Sequence, residues 1–321
     1  MTSYRAPWWL PGGHLQTIYA SLFARKPRVI YRRERWELAD GDFIDLDWVD
    51  GESDKPLLAL FHGLEGSSRG HYALAVMDAL RQRGWRGVVV NFRGCSGTPN
   101  RLARAYHSGD SAEIRMALSH LKAQAPQQAL YAVGISLGAN ALLKWLGESG
   151  REAQKIVTRA AAISAPVDLA SAGARLDRGF NRHSYTRHFL RTLRRKTQEK
   201  IHAHRLPIAP QALRQATTLY AFDDLYTAPM HGYRNADDYW QRASSKPWLN
   251  SIAVPTLIVH AHNDPFLPAS TYLEQAELSP DITLELTRQG GHVGYVNGPF
   301  PGKLSWLPNR VLNFFSQNHH S

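Results

Sequence analysis

The stretch Gly134-Ile135-Ser136-Leu137-Gly138 decides the fold of this 321-residue chain. It matches the pattern G-x-S-x-G and lies between an apolar run typical of a strand and residues 137–146, which have the pattern of a helix. The turn is too sharp for bulky side chains beside the serine, so the glycines leave room while the backbone pushes the Ser136 hydroxyl out above the sheet. We interpret Ser136 as a nucleophile at this elbow. The competing interpretation is an ordinary strand-to-helix turn.

On both sides of this elbow, short apolar or β-branched runs alternate with helical patterns, which predicts a mostly parallel central sheet with flanking crossover helices. The predicted strands cover residues 28–38, 43–49, 57–61, 87–92, 129–133, 160–163, 255–260 and 282–286. The predicted helices cover residues 72–83, 111–123, 137–146 and 270–278. The first two strands flank an Ala39-Asp40-Gly41-Asp42 turn, which predicts an antiparallel hairpin at a sheet edge.

One long stretch interrupts this alternation. After Pro166 the strand pattern is replaced by Arg- and His-rich, helical sequence, and it resumes only near residue 255. We therefore predict an α/β fold with three parts: an N-terminal arm (residues 1–27), a core formed by residues 28–166 and 251–321, and an inserted helical cap (residues 167–250).

The partners that a serine nucleophile needs occur downstream of Ser136. A serine hydroxyl is a weak nucleophile near neutral pH, so it requires a base to take its proton and an acid to hold that base. Asp264 follows a predicted strand, and His292 follows the next one on a Gly290-Gly291 turn. In this kind of fold the order along the chain is serine, acid, histidine. We predict Ser136, Asp264 and His292 as a catalytic triad.

Other interpretations of these residues remain open. Asp264 can form a turn or cap a helix, and His292 is one of fifteen histidines. His260, His262 and Asp264 also have a spacing seen in metal sites, although no further histidine follows at close range. Asp168 is the alternative triad acid, and it is also placed to cap the helix that opens the insertion.

The loop with the sequence F-H-G-L-E-G at residues 61–66 follows a predicted buried strand. In this fold such a loop supplies one amide of an oxyanion hole, and the residue after the nucleophile supplies the other. We therefore predict the backbone N–H groups of Leu64 and Leu137 as the two donors. The alternative is a plain strand-to-helix loop, and no Gly-Lys-Ser/Thr follows to indicate a phosphate loop.

The composition excludes several classes of protein. Cys95 is the single cysteine, which excludes an intramolecular disulfide framework and favours a reducing, cytoplasmic location. Cys95 lacks a base of its own, so we predict a structural role, and we predict that Asp110 caps the helix that follows it. No signal-peptide core and no apolar run of membrane-spanning length is present, so we expect no transmembrane segment.

The formal net charge of +11 indicates attraction to anionic surfaces. Between residues 175 and 205, apolar residues alternate with basic ones, which fits either a helix on an anionic membrane surface or a cap helix that packs inward with solvated arginines. No recognition motif accompanies the charge, so we expect no nucleic-acid partner. The basic residues of this stretch include Arg187, Arg191, Arg194, Arg195, Lys196 and Lys200, and the apolar ones include Phe189, Leu190, Leu193 and Ile201.

Several motifs outside the insertion are shared with a known family. They are H-L-Q-T at 14–17, H-G-L-E-G at 62–66, N-F-R-G-C-S-G at 91–97 with Asn100, Y-H-S-G at 106–109, G-I-S-L-G at 134–138 and G-G-H-V-G at 290–294. On these motifs the chain resembles the YheT-like branch of the α/β-hydrolases, also called the AB hydrolase 4 family. The resemblance implies the α/β-hydrolase fold, hydrolysis of carboxylic esters, a triad at Ser136, Asp264 and His292, and no metal.

The leading hypothesis is a serine hydrolase that cleaves a small-molecule ester or acyl lipid through an acyl-enzyme, without a cofactor. An acyltransferase or thioesterase would use the same triad with another acceptor or leaving group. A non-catalytic protein that binds anionic surfaces is the alternative from another class, and the presence of all three triad residues weighs against it.

Overall fold

The computed structural model describes residues 4–271 and 273–317, and of residue 270 only the backbone. Residues 1–3, 272 and 318–321 lie outside the described part. The predicted arm, the helix at residues 270–278 and the core segment 251–321 are therefore compared with the structure only at their other positions. The described strands form one eight-stranded sheet. They are β1 (Arg32–Glu37), β2 (Phe43–Val49), β3 (Leu57–Phe61), β4 (Arg86–Asn91), β5 (Leu130–Ile135), β6 (Arg159–Ile163), β7 (Thr256–Ala261) and β8 (Ile282–Thr287).

The strand order is β1-β2-β4-β3-β5-β6-β7-β8, and every pair from β4 to β8 is parallel. β2 pairs antiparallel with both β1 and β4, so β1 and β2 form the predicted hairpin at one edge. All residues of β3, β5, β6 and β7 are buried, as expected for strands covered by helices on both faces. Because these strands are parallel, the loops that follow them meet at one edge of the sheet.

Helices cover both faces of the sheet. Leu118 and Leu142 pack in the core on one face, and Val76 and Phe315 pack in the core on the other. The helices are α1 (Gly13–Leu22), α2 (His71–Gln82), α3 (Ser111–Gln124), α4 (Leu137–Ser149), α5 (Leu169–Leu176), α6 (Gly179–Asn181), α7 (Arg187–His204), α8 (Pro210–Gln215), α9 (Leu219–Phe222), α10 (Ala228–Met230), α11 (Ala236–Ala243) and α12 (Trp306–Phe315). Single π-helical turns at Arg182–Thr186 and Asp223–Thr227 join neighbouring helices.

The predicted sheet is confirmed, and most element ends agree within one or two residues. The strand predicted from residue 28 begins only at Arg32. The helix predicted at residues 270–278 is wrong, because the chain forms separate 3-10 turns at Ala269–Thr271 and Gln275–Glu277. The Gln275 side chain bonds to the backbone of β8 through Ile282 O and Leu284 N, so tertiary contacts replace helical ones here.

The segment at residues 167–250, between β6 and β7, contains no strand and is fully described. Its helices share an apolar cluster of their own, which includes Leu190, Ile201, Phe222, Tyr226 and Trp240. The apolar side of α7 therefore packs inward, as one of the two interpretations of its sequence expects. In the described part of the chain, no helix is long and apolar enough to span a membrane.

One carboxylate within this segment is unfavourably placed. Asp223 accepts a hydrogen bond from Trp240 Nε1 (2.8 Å). Burial raises the pKa of Asp223 to about 6, although the hydrogen bonds from Thr227 and Trp240 oppose the rise. Above that pH the folded protein must hold an ionised carboxylate in a poorly hydrated position, which costs stability.

We expect Asp223→Asn to stabilise the protein by about 1–2 kcal/mol at pH 8, since the amide oxygen still accepts from Trp240 without a charge. The raised pKa means that the folded state binds more protons between pH 4 and 6. The gain should therefore shrink as the pH falls through 6. Denaturant unfolding at pH 8 and pH 5 measures it, with Asp54→Asn as an exposed control. An equal gain at both pH values would contradict this account.

Candidate active site

Ser136 lies between β5 and α4, at the turn that the sequence predicts. Its backbone has φ 52° and ψ −117°, a conformation that L-residues rarely adopt. A Cβ atom added to Gly134 would lie 2.5 Å from the Ala139 Cα atom, and one added to Gly138 would lie 2.5 Å from the Phe61 carbonyl oxygen. Both glycines are therefore sterically required for the elbow that presents the Ser136 hydroxyl.

The structure brings Asp264 and His292 together with Ser136. The Asp264 residue follows β7, and His292 follows β8 on the Gly290-Gly291 turn. Ser136 Oγ is 2.8 Å from His292 Nε2, and His292 Nδ1 is 2.8 Å from Asp264 Oδ2. Because a carboxylate only accepts, Nδ1 carries the proton and Nε2 is left to accept from the serine hydroxyl.

Packing holds this chain of hydrogen bonds in place. The second oxygen of Asp264, Oδ1, accepts from the Phe266 amide (2.8 Å). The Phe266 ring stacks on the imidazole of His292, with ring centres 4.1 Å apart. The Asp264 side chain is fully shielded from solvent and that of His292 is 9% exposed, so the imidazole has one available orientation.

Two amide groups next to Ser136 lack acceptors. In the described part of the chain, no hydrogen bond is made by the backbone N–H groups of Leu64 and Leu137. The flanking amides are engaged, because Gly63 N donates to Tyr72 Oη and Glu65 N donates to Tyr106 Oη. A Cβ atom on Gly63 would lie 3.7 Å from Ser136 Oγ, so this loop passes close to the nucleophile. The two amides therefore remain without an acceptor in the part of the chain that the structure describes.

Ser136 opens into a cavity of about 1320 Å³ between the sheet and the segment at residues 167–250. Apolar side chains of this segment line one part of the cavity: Leu169, Leu176, Leu193, Leu219, Phe222 and Trp240. His292, Leu64 and Leu137 line the cavity beside Ser136. A substrate with a large apolar group fits a cavity of this size and lining.

A half-buried ion pair ties α7 to the loop that carries Leu64, and no sequence pattern predicts it. Lys196 Nζ on α7 is 2.9 Å from Glu65 Oε1, and the Glu65 side chain is 7% exposed. Tyr106 Oη donates to the same oxygen (2.9 Å) and accepts from the Glu65 amide (2.7 Å). Glu65 has φ 54°, so these bonds hold the loop in a conformation that is otherwise unfavourable. Lys196 is 131 residues from Glu65, beyond any local pattern.

The remaining candidate residues have structural positions. Asp168 caps α5 by accepting from the Ser171 amide, and Asp110 caps α3 by accepting from the Glu113 amide, both as predicted. Burial raises the pKa of Cys95 to about 12, so its thiol stays protonated near neutral pH. These contacts leave Asp264 as the carboxylate that holds His292.

His260 is fully buried behind the triad. Burial lowers its pKa to about 4, so the imidazole is neutral near pH 7. Both oxygens of Asp264 are occupied by His292 and Phe266, which weighs against the metal interpretation of His260, His262 and Asp264. Among residues 4–271 and 273–317, no group of three or more His, Cys, Asp or Glu side chains is placed to hold a metal ion.

A family model described as "alpha/beta hydrolase fold" matches residues 56–299, which include Ser136, Asp264 and His292. The chain belongs to the α/β-hydrolase family. It is 40% identical to YheT of Escherichia coli (strain K12) over 94% of this chain and 90% of that protein, which places it in the YheT-like branch. It is also 29% identical to human phospholipase ABHD3, over 96% of this chain and 77% of that protein.

A solved structure has the same fold at lower sequence similarity. The Pyrococcus furiosus esterase Pf2001 superposes with a TM-score of 0.56 at 19% identity, covering 91% of this chain and 97% of that one. The family and its esterase and lipase members make this chain an enzyme of the carboxylic ester hydrolase class, as the sequence predicts.

Proposed function

We propose that this α/β-hydrolase cleaves carboxylic esters through an acyl-enzyme on Ser136, with His292 as general base and acid and Asp264 as its partner. The observation that carries the proposal is the unbroken hydrogen-bonded chain from Asp264 through His292 to Ser136, which ends in the cavity. Serine, base and acid in this arrangement activate a hydroxyl for acyl transfer.

In the first half-reaction, Ser136 Oγ attacks the ester carbonyl carbon while His292 Nε2 takes the hydroxyl proton. The carbonyl oxygen becomes an oxyanion, which accepts hydrogen bonds from the Leu64 and Leu137 amides. Each such donor typically lowers the barrier by about 3 kcal/mol. The intermediate then expels the alcohol oxygen, which takes the proton from His292 and leaves an acyl group on Ser136.

In the second half-reaction, water enters the place of the alcohol. His292 Nε2 removes a proton from the water as its oxygen attacks the acyl carbon, and the same proton returns to Ser136 Oγ when the acid leaves. Throughout, the Asp264 carboxylate remains ionised and stabilises the imidazolium that forms. An alcohol in place of water would give acyl transfer. Analysis of the products therefore identifies whether water or an alcohol accepts the acyl group.

We expect wild-type protein to react with a fluorophosphonate probe and Ser136→Ala and His292→Ala to lose labelling. Asp264→Asn should lower kcat by about 10³–10⁴-fold, because the imidazole loses its correct tautomer. Asp168→Asn is the matched control, since Asp168 only caps α5, and it should keep kcat within about threefold. Labelling that persists in Ser136→Ala would overturn the proposal. Absence of labelling in wild type would favour the non-catalytic alternative.

The apolar lining supports an aliphatic acyl group as the buried part of the substrate. We expect kcat/KM for p-nitrophenyl esters to rise with acyl length from two to about ten carbons. Leu193→Trp should shorten the part of the cavity that holds the acyl chain. It should lower kcat/KM for ten-carbon esters about tenfold or more, with little effect on kcat/KM for the acetate ester. Leu225→Trp is the control, because Leu225 packs in the same segment and does not line the cavity. Equal losses for long and short esters would contradict this assignment.

Contact with an anionic lipid surface is supported by the outer side of α7. Arg187, Arg191 and Arg195 are spaced four residues apart and are exposed, so they share one face of the helix. Each cation near an anionic surface contributes about 1 kcal/mol. This contact would bring the cavity close to acyl lipids, since Arg195 also lies at the cavity wall.

Vesicle sedimentation tests this contact. Binding to vesicles with phosphatidylglycerol should exceed binding to pure phosphatidylcholine, and it should weaken with salt. Arg187→Glu with Arg191→Glu should reduce binding about 10- to 100-fold. The control pair Arg81→Glu with Arg151→Glu changes the net charge equally on other exposed surfaces. Equal binding to neutral and anionic vesicles would refute the contact.

A further inference from the structure

The helix α1 near the N-terminus presents two unlike faces. Leu15 and Leu22 are exposed on one side, whereas Gln16 and Thr17 are buried on the other. Burying an amide side chain costs free energy unless its polar atoms find partners. The burial of Gln16 at 0% exposure therefore raises the question of what it binds.

Every polar atom of the Gln16 side chain is paired. Oε1 accepts from Asn263 Nδ2 (2.9 Å) and from the Gly290 amide (2.8 Å), and Nε2 donates to the Leu10 carbonyl (3.0 Å). Asn263 precedes the triad acid, and Gly290 lies two residues before His292. One side chain thus joins the loop after β7 to the loop after β8.

The two loops are also bonded to each other and to the next residue of α1. Asn263 Oδ1 accepts from the Gly291 amide (2.9 Å). Thr17 Oγ1 accepts from the amide of His292 itself (2.8 Å) and donates to the Gly13 carbonyl (2.7 Å). The backbone of the catalytic-site histidine is therefore held by a side chain 275 residues away in the chain.

Glycines allow this close approach. A Cβ atom on Gly291 would lie 2.7 Å from Thr17 Oγ1, and one on Gly294 would lie 2.5 Å from the Gln16 carbonyl oxygen. From the other side, a Cβ atom on Gly13 would overlap the Asn263 carbonyl oxygen. Because these glycines have little conformational preference of their own, the loops need an external element to define their shape.

We infer that Gln16 and Thr17 are positioning residues for the reaction, which set the place of Asp264 and His292 from α1. The inference rests on the proposed triad, since it concerns how that triad is held. Neither residue touches the reacting atoms. A displacement of about 1 Å in the imidazole lowers the rate about 10²-fold, so loss of these bonds acts on kcat rather than on substrate binding.

Thr17→Val is the principal variant, because valine has the shape of threonine and lacks the acceptor for the His292 amide. We expect kcat to fall about 10- to 100-fold with KM changed less than threefold, and Thr17→Ser to restore kcat to within about threefold of wild type. Gln16→Met should behave like Thr17→Val. If Gln16→Met does not fold, Asn263→Ala removes the Gln16–Asn263 bond from the loop side, together with the bond from the Gly291 amide.

A purely structural role is separated by a control and by a second readout. Ala20→Gly destabilises α1 by about 1 kcal/mol without removing any hydrogen bond to either loop, and it should keep kcat. In Thr17→Val, backbone amide exchange should accelerate in the peptide that contains residues 288–294, whereas Ala20→Gly should leave that peptide protected. In the Asp264→Asn background, Gln16→Met should lower kcat only little further, since both substitutions act through His292.

The outcomes distinguish this inference from the proposed function. If Ser136→Ala retains hydrolysis, the proposed triad fails. If Ser136→Ala is inactive but Thr17→Val and Gln16→Met keep wild-type kcat, the triad stands and the positioning role is refuted. An equal loss of kcat in Ala20→Gly would likewise refute it, because stability alone would then account for the effect.

Discussion

The hydrogen bond between His292 Nδ1 and Asp264 Oδ2 is the interaction on which the site depends. It fixes which imidazole nitrogen carries the proton, and so it leaves Nε2 free to accept from Ser136. The bond requires two loops to meet although the residues are 28 positions apart. They meet because β7 and β8 are parallel neighbours, so that their carboxyl ends lie side by side at the edge where β5 ends in the serine elbow.

The sheet alone defines this site only coarsely. The loop before His292 contains Gly290 and Gly291, both with positive φ, and Val293 also has φ 57°. Such a loop needs contacts from outside to keep one shape. The contacts come from α1, which precedes the whole sheet in the sequence, and from Phe266, which stacks on the imidazole.

The segment at residues 167–250 does two things for the site. It supplies the apolar wall of the cavity, and through Lys196 it bonds to Glu65, next to one predicted oxyanion donor. The basic residues of α7 accordingly occupy two kinds of position, one against the core and one on the surface. Lys196 and Lys200 are half-buried and bond to loops of the core, whereas Arg187 and Arg191 remain exposed.

The sequence by itself determined the features that depend on neighbouring residues. The serine elbow, the strands and the caps at Asp110 and Asp168 follow from local patterns of glycine, apolar residues and capping side chains, and the structure has all of them. Asp264 and His292 were predicted from their positions after strands, and the short distances among the three residues came only from the structure.

Only the tertiary structure decided the contacts between distant parts of the chain. At residues 270–278, turns stand in place of the predicted helix, and the Gln275 side chain bonds to the backbone of β8, a contact that helical periodicity does not show. The Lys196–Glu65 pair, the bond between Gln16 and Gly290 and the bond between Thr17 and His292 each join residues more than a hundred positions apart. A single sequence shows periodicity and local chemistry, whereas the pairing of remote side chains depends on how the sheet and its loops bring them together in space.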